Sequence, residues 1–243
     1  MPELSLLLAR ARVDGAVFAL RPDYRALLIA VDGLVPGPGD DSSEALLQGA
    51  EASARRALTE RPVEELPHMA SWRDAFRAFG AKPQRTRSSA EALLRRAESG
   101  LPRVNRLTDV YNAISVLHQI PVGGEDLAKY IGGPRLLRSN GTEEFHTVAG
   151  GSDITEHPAA GEVVWCDDAG VTCRRWNWRQ GRRTQLTETT TTALFILDAL
   201  DPLTGEQLDA AADQLVAELR RLGPDVQVQR RLIAAESAVE GSS

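Results

Sequence analysis

Three polar groupings in this 243-residue chain combine residue types that can do chemistry. The first is Asn105 and Asn112, seven residues apart, a spacing that returns to one face of a helix. Tyr111 and Ile114 flank Asn112 on the side such a helix would bury, and a buried amide must find partners. Each asparagine therefore either orients a ligand or a water, or ties helix to sheet. The second grouping is Gly123 and Gly124, followed by Glu125 and Asp126. Adjacent glycines let a backbone approach a ligand closely, and their amides could donate to a developing oxyanion. The plain alternative is a turn after Pro121. Glu125 could polarise a water, whereas Asp126 is placed to cap a helical turn over 127–130. The third grouping is Arg174, Arg175, Trp176 and Asn177. Strand alternation would send Arg175 and Asn177 to one face and Arg174 and Trp176 to the other. Arginine suits a phosphate and tryptophan a stacked base. Equally, Trp176 could belong to the core and Arg174 to an ion pair. Thr187 and Glu188 follow, and Glu188 would hold either an amino group or an arginine.

No Ser-His-Asp or Cys-His arrangement is legible, so no covalent nucleophile is expected. His118, His146 and His157 read as structural or surface residues. Cys166 and Cys173 are not spaced as a CxxC pair and lack a second pair, so a reduced, cytoplasmic protein without metal or other cofactor is expected. They are expected to flank a hairpin turn, where they could face each other. The apolar residues of 1–12 have no basic region ahead of them, which argues against a signal peptide. No apolar run approaches the ~20 residues that span a bilayer, so no membrane partner is expected.

The net charge of −6 argues against a general nucleic-acid binder, but the charge is unevenly placed. Residues 73–106 hold nine Lys/Arg against Asp74, Glu91 and Glu98, and residues 174–183 hold five arginines and no acid. These segments either meet in one basic rim, with Arg87 and Arg175 on it, or form solvated faces.

The elements that must position these groups follow from local pattern. Residues 16–20 and 26–31 read as strands, and 35–41 as a loop. Ser42 and Ser43 are expected to cap a helix over 44–59, which Pro62 and Pro67 end. Further helices are predicted over 70–79, stopping at Gly80, and from a capping box at 88–91 to near Gly100. Leu107, Val110, Tyr111, Ile114 and Leu117 mark a buried helical stripe within 104–118. After Pro121 short strands are predicted over 135–138, 144–148, 162–166, 171–176 and 193–197, with a hairpin turn at 167–170. A helix after Thr204 would bury Leu208, Ala211, Leu215, Val216 and Leu219, and 226–233 reads as a strand before a flexible tail. Helices, then strands, then a helix predict an α+β fold, its β body over about 134–197.

The stretch 72–200 resembles the B3/B4 domain of the phenylalanyl-tRNA synthetase β subunit as it occurs in free-standing proteins. The resemblance is carried in order by 76–83 (FRAFGAKP), 87–96 (RSSAEALLRR), 101–102 (LP), 104–105 (VN), 109–112 (DVYN), 121–126 (PVGGED), 174–177 (RRWN) and 186–188 (LTE). It implies a B3/B4-like fold with a mostly antiparallel β body packed by helices, one domain over 1–235. Within it, about 1–70 would be an extension and 201–235 a closing helix and strand. It further implies aminoacyl-tRNA deacylation in trans, with mischarged tRNA as partner. Pocket discrimination between near-isosteric amino acids yields only ~1–3 kcal/mol, so a second, hydrolytic site answers a physical need. Under this reading Asn112, Gly123, Gly124 and Glu125 are the catalytic candidates. Asn105, Arg87, Arg174, Arg175, Trp176, Asn177, Thr187 and Glu188 are the substrate and tRNA candidates.

Two departures from the synthetase pattern bear on specificity. Gly123 stands where the synthetase motif has a histidine, and Ile196 where it has a glutamate that binds the hydroxyl of tyrosine. Tyrosine specificity is therefore not expected to carry over. The lost histidine leaves a non-catalytic RNA-binding module as one alternative. The acidic net charge leaves a hydrolase of small aminoacyl esters or amides as another.

Overall fold

A computed structural model describes residues 2–235. The tail expected over 236–243 lies outside the described residues. The chain begins with α1 (Pro2–Arg10), which buries Leu4 and Leu8 one turn apart. Next come β1 (Arg12–Val13) and α2 (Gly15–Leu20). The helix α2 corrects the strand expected over 16–20. A run of five apolar residues has no period that separates a short helix from a strand. β2 (Arg25–Asp32) is the strand expected there.

Helix α3 (Asp41–Glu60) starts earlier than Glu44, because Asp40 rather than Ser42 is its cap. The Asp40 carboxylate accepts from the Ser43 amide at 2.9 Å, and the Ser43 hydroxyl accepts from the Asp40 amide at 2.9 Å. α4 (Pro67–Ala78) is opened by Pro67 instead of being preceded by it, since the first turn needs no N–H there. α5 (Ser89–Arg96) is capped by Ser88, whose hydroxyl accepts from the Glu91 amide at 3.3 Å. The expected return arm is missing because the Glu91 carboxylate is taken by Arg73 at 2.7 Å and Arg95 at 3.0 Å. α6 (Arg106–His118) follows.

The second half contains β3 (Val122–Asp126), β4 (Arg135–Arg138), β5 (Phe145–Ala149), β6 (Ser152–Glu156), β7 (Val163–Asp167), β8 (Gly170–Arg174), β9 (Arg179–Gln180) and β10 (Ala193–Ala199). α7 (Gly205–Arg220) and β11 (Gln227–Ala234) close it. β3 corrects the turn expected at Gly123 and Gly124. The strand expected over 171–176 stops at Arg174, because Arg175 and Trp176 take φ of 48° and 66° and turn the chain. The hairpin between β7 and β8 turns at Asp167 to Gly170 as expected. Cys166 pairs in register with Val171 and Cys173 with Trp165, so the two free thiols do not face each other.

The strands form an antiparallel sheet in the order β11-β2-β10-β3, a five-stranded sheet β1-β4-β7-β8-β9 and the β5-β6 hairpin. β1 and β4 run parallel and the other pairs antiparallel, which makes the fold α+β. The β body is therefore wider than 134–197, for β2 and β11 come from outside that range and pair in the site's sheet. Both faces of β2 and β10 are covered. Leu27, Ile29, Phe195 and Leu197 pack with the apolar stripe of α7. Leu28, Leu194 and Ile196 pack toward α3, α4, α5 and the second sheet. Strands buried on both sides read as continuous apolar runs, which is what 26–31 and 193–197 show.

Candidate functional site

A cavity of about 270 Å³ opens between the two sheets and the helices α5 and α6. Its floor is the pair β3 and β10, which are in antiparallel register with Gly123 opposite Ile196 and Glu125 opposite Leu194. Side chains two apart on a strand share a face, so Ile196 and Asp198 both line the cavity, as do Gly123 and Glu125. Its walls are Trp165, Trp176, Trp178 and Tyr111, and Asn112 enters from α6. Arg96 from α5 and Arg179 from β9 also line it.

Asn112, Gly123, Glu125, Trp176 and Asn177 are brought together at this cavity, and the other candidates stand elsewhere. Gly124 alternates to the opposite face, where an added Cβ would lie 2.7 Å from Leu186 and 2.8 Å from Tyr111. Asn105 caps α6, accepting from the Thr108 amide at 2.9 Å and donating to the Leu186 carbonyl at 3.3 Å. Arg174 holds Glu162 through two buried bonds of 2.8 Å and the partly exposed Glu156 through one of 2.6 Å. Arg175 donates to the Thr86 hydroxyl, lies 3.5 Å from Glu162 and covers the Trp178 ring at 4.4 Å. Arg87 stands 3.6 Å from Glu91. Thr187 and Glu188 are exposed and lie outside the cavity lining. Trp176 is wholly buried, its ring edge-on to Tyr24 and Trp72 at 5.0 and 5.3 Å.

The amides of Gly123 and Gly124 were expected to serve as oxyanion donors, and the strand changes the role of Gly123. The Asp198 amide donates to the Pro121 carbonyl at 3.0 Å. Hydrogen-bonded pairs alternate along an antiparallel ladder, so the next falls two residues on, at Gly123 and Ile196. The Gly123 amide thus belongs to the sheet. What this residue contributes to the cavity is its missing side chain, for an added Cβ there would meet nothing within 4 Å.

Two carboxyl groups in the cavity are fully buried and titrate near neutrality. Burial pushes the Glu125 carboxyl up to about 7, against the opposing pull of a hydrogen bond from Tyr130 and of the nearby Thr172 hydroxyl, which does not reach hydrogen-bond geometry. Burial also pushes Asp198 up to about 7, although Tyr24 donates to it at 2.5 Å and Asn177 at 3.1 Å. The Trp165 indole N–H faces Asp198 without reaching hydrogen-bond geometry. Asp198, Trp165 and Trp178 went unread in the sequence. One signal was available: an acid two residues beyond Ile196, at the end of an apolar strand, is costly unless it has partners.

The two basic segments do meet. The Ser89 amide donates to the Asn177 carbonyl at 3.1 Å, and Arg175 reaches Thr86. Most of their arginines are paired locally: Arg73, Arg87 and Arg95 share Glu91, Arg95 also meets Glu64, Arg103 meets Glu44 and Glu51, and Arg183 meets Asp167. Among the described residues no cluster of three or more His, Cys, Asp or Glu is arranged to hold a metal ion. No helix among them is long and apolar enough to cross a membrane.

A family model described as the B3/4 domain matches residues 71–223. An N-terminal fragment of the phenylalanyl-tRNA synthetase β-subunit from Pyrococcus horikoshii is similar to this chain with a TM-score of 0.45 and 12% identity. The likeness covers 90% of this chain and 49% of that one, so the chain spans about half the length of that structure. A comparison with curated protein sequences finds no match.

Proposed function

The chain belongs to the B3/4 domain family, and from that premise we propose that it is an aminoacyl-tRNA deacylase that hydrolyses the ester of a mischarged tRNA in trans. The observation that carries this reading is a buried carboxyl near neutrality, Glu125, sharing an apolar cavity with Asn112 and a side-chain-free Gly123. A general base works best when its pKa lies near the working pH. Glu125 takes a proton from water as the water oxygen bonds to the acyl carbon. The ester C–O bond then breaks, and the leaving ribose hydroxyl receives that proton, giving free amino acid and uncharged tRNA. The Asn112 amide donates to the carbonyl oxygen as charge develops on it, an interaction strengthened in the transition state. Ile196 beside Gly123 makes this part of the floor apolar, which favours a small or aliphatic amino acid over tyrosine.

The test is ester loss from a panel of mischarged tRNAs incubated with the purified protein. Turnover above the uncatalysed rate is expected, with aliphatic esters ahead of tyrosyl ester. In Asn112→Ala, kcat should fall about 100-fold or more with little change in KM, the size seen when one oxyanion donor is lost. A well-folded protein that leaves every ester intact overturns the reading, and fastest hydrolysis of tyrosyl-tRNA overturns the apolar floor. One observation favours a second reading, a hydrolase of small aminoacyl esters or amides. The pairing of most arginines with acids leaves little free charge for a polyanion. Hydrolysis of amino acid methyl esters faster than of any tRNA ester would select it.

A further inference from the structure

A buried carboxyl without a cationic partner stands at one end of the cavity floor. Asp198 is 2% exposed and is held by two neutral hydrogen-bond donors, Tyr24 and Asn177, with the Trp165 indole facing it. Among the described residues, no Lys, Arg or His forms a salt bridge with it. Beside it, Asn177 is 7% exposed and spends its Nδ2 on Asp198, while its Oδ1 is buried with no partner. A carboxylate and an orphan acceptor next to each other lack a donor of positive charge. The walls around them are aromatic, with Trp165, Trp176 and Trp178 lining the same space. Aromatic faces attract cations, and a buried ammonium group is tolerated where an anion and hydrogen bonds meet it.

We infer that Asp198 and the Asn177 carbonyl oxygen form a subsite for a protonated primary amine, the α-ammonium group of the aminoacyl ester. The inference rests on the deacylase reading for the identity of the amine, and it makes the free amine a condition of recognition. An ammonium offers three N–H donors, enough to satisfy both acceptors, whereas an N-acylated nitrogen is neutral and keeps one.

The spacing of the floor favours the α-amine over a side-chain amine. Asp198 and the partner position of Glu125, Leu194, are four residues apart on β10. At ~3.3 Å per residue this is on the order of 13 Å between Cα positions. A path from Asp198 through an ammonium, the α-carbon, the acyl carbon and a water to Glu125 is on the order of 11 Å at ordinary bond and hydrogen-bond lengths. The methylenes of a long side chain inserted into that path would carry the acyl carbon past Glu125. The role assigned from sequence to Glu188, which is exposed and outside the lining, thus passes to Asp198.

The experiment titrates the full-length protein with L-alaninamide, L-leucinamide and L-phenylalaninamide, and with their N-acetyl forms, followed by tryptophan fluorescence. At least one free amide should bind, and its N-acetyl form should bind at least tenfold more weakly. Asp198→Asn should lose at least tenfold in affinity for the free amide and little for the N-acetyl form. In parallel, the unmodified protein is given one aminoacyl-tRNA and its N-acetylated form, an arm that does not depend on the variant folding. Equal binding of free and acetylated amides, binding of none, or equal hydrolysis of the two tRNA esters overturns the subsite. Amine-selective binding with no hydrolysis of any tRNA ester keeps the subsite and removes the deacylase reading. Hydrolysis indifferent to acetylation does the reverse.

Discussion

Gly123 and Ile196 are register partners across β3 and β10, and both face the cavity. An added Cβ on Gly123 meets nothing within 4 Å, whereas one on Gly124 meets Leu186 and Tyr111 at under 3 Å. Two neighbouring glycines thus serve different ends, open space in one case and close packing in the other. Gly123→Val should fold at least as well as the unmodified chain, since valine favours strands, yet lose at least tenfold in ester hydrolysis by filling the cavity. Gly124→Ala should lose about 1–3 kcal/mol of stability by overpacking. Urea unfolding beside a deacylation assay separates the two, and equal behaviour of both variants refutes the assignment.

Glu125 sets the expected pH profile. A base acts when deprotonated, so kcat, measured at saturating ester where the bound ammonium already meets Asp198, should rise with pH through about 7 and level above it. Tyr130 donates to this carboxyl and so favours its charged form, which means that Tyr130→Phe should move the midpoint to higher pH. Glu125→Gln should remove the midpoint and cost ~100-fold or more in rate. A profile with the same midpoint in Glu125→Gln would assign the titration to another group.

Free positive charge is concentrated at few positions. The salt bridges of residues 73–106 engage Arg73, Arg77, Arg87, Arg95, Arg103 and Arg106. Lys82, Arg85 and Arg96 are outside them, and Arg96 lines the cavity. Arg96→Ala should weaken tRNA binding and lower the slope of log affinity against log salt by about one. Arg87→Ala and Arg175→Ala, whose charges already meet Glu91 and Glu162, should change that slope less. Filter binding at a series of salt concentrations measures all three, and a larger change in the latter pair would show that their ion pairs open to the ligand.

His68 gives the fold an acid-sensitive point. Its Nδ1 donates to the Gln119 carbonyl at 2.9 Å, and its Nε2 accepts from the Trp72 indole at 3.2 Å and the Leu200 amide at 3.1 Å. Both ring nitrogens are used as a neutral imidazole uses them, and burial lowers its pKa from 6.5 to about 4. A lowered pKa means that the unfolded chain binds the proton first. This contribution to stability is complete above about 6.5 and is lost as pH falls through about 4. Its full size is on the order of 3 kcal/mol. Glu125 and Asp198, raised to about 7, act with opposite sign: their contribution is complete below about 4 and is lost as pH rises through 7. Because the two carboxyls offset the histidine over this range, the readout is a difference: between pH 6.5 and 4 the stability of His68→Leu in urea should rise relative to that of the unmodified chain. A constant difference would place the acid sensitivity elsewhere.

Local rules made much of the fold legible in the sequence. Helices α6 and α7, strand β2, the turn at 167–170 and the cap at Asp126 follow from periodicity, apolar runs and short polar side chains, all of which act within a few residues. Asn112, Gly123 and Glu125 were legible as candidates because their types and order are local too. The tertiary structure alone decided which of them share a space, because the cavity needs β10 beside β3, some seventy residues apart in sequence. It also decided the fate of the arginines, since Arg174 is neutralised by Glu156 and Glu162 and Arg73 by Glu91, partners that no spacing rule connects. The turn at Arg175 and Trp176 takes left-handed backbone without glycine or asparagine, so nothing local announced it. Asp198 is the plainest case. Its charge was visible in an apolar strand, but Tyr24, the partner that lets it be buried, is 174 residues away, and only the folded sheet brings the two groups together.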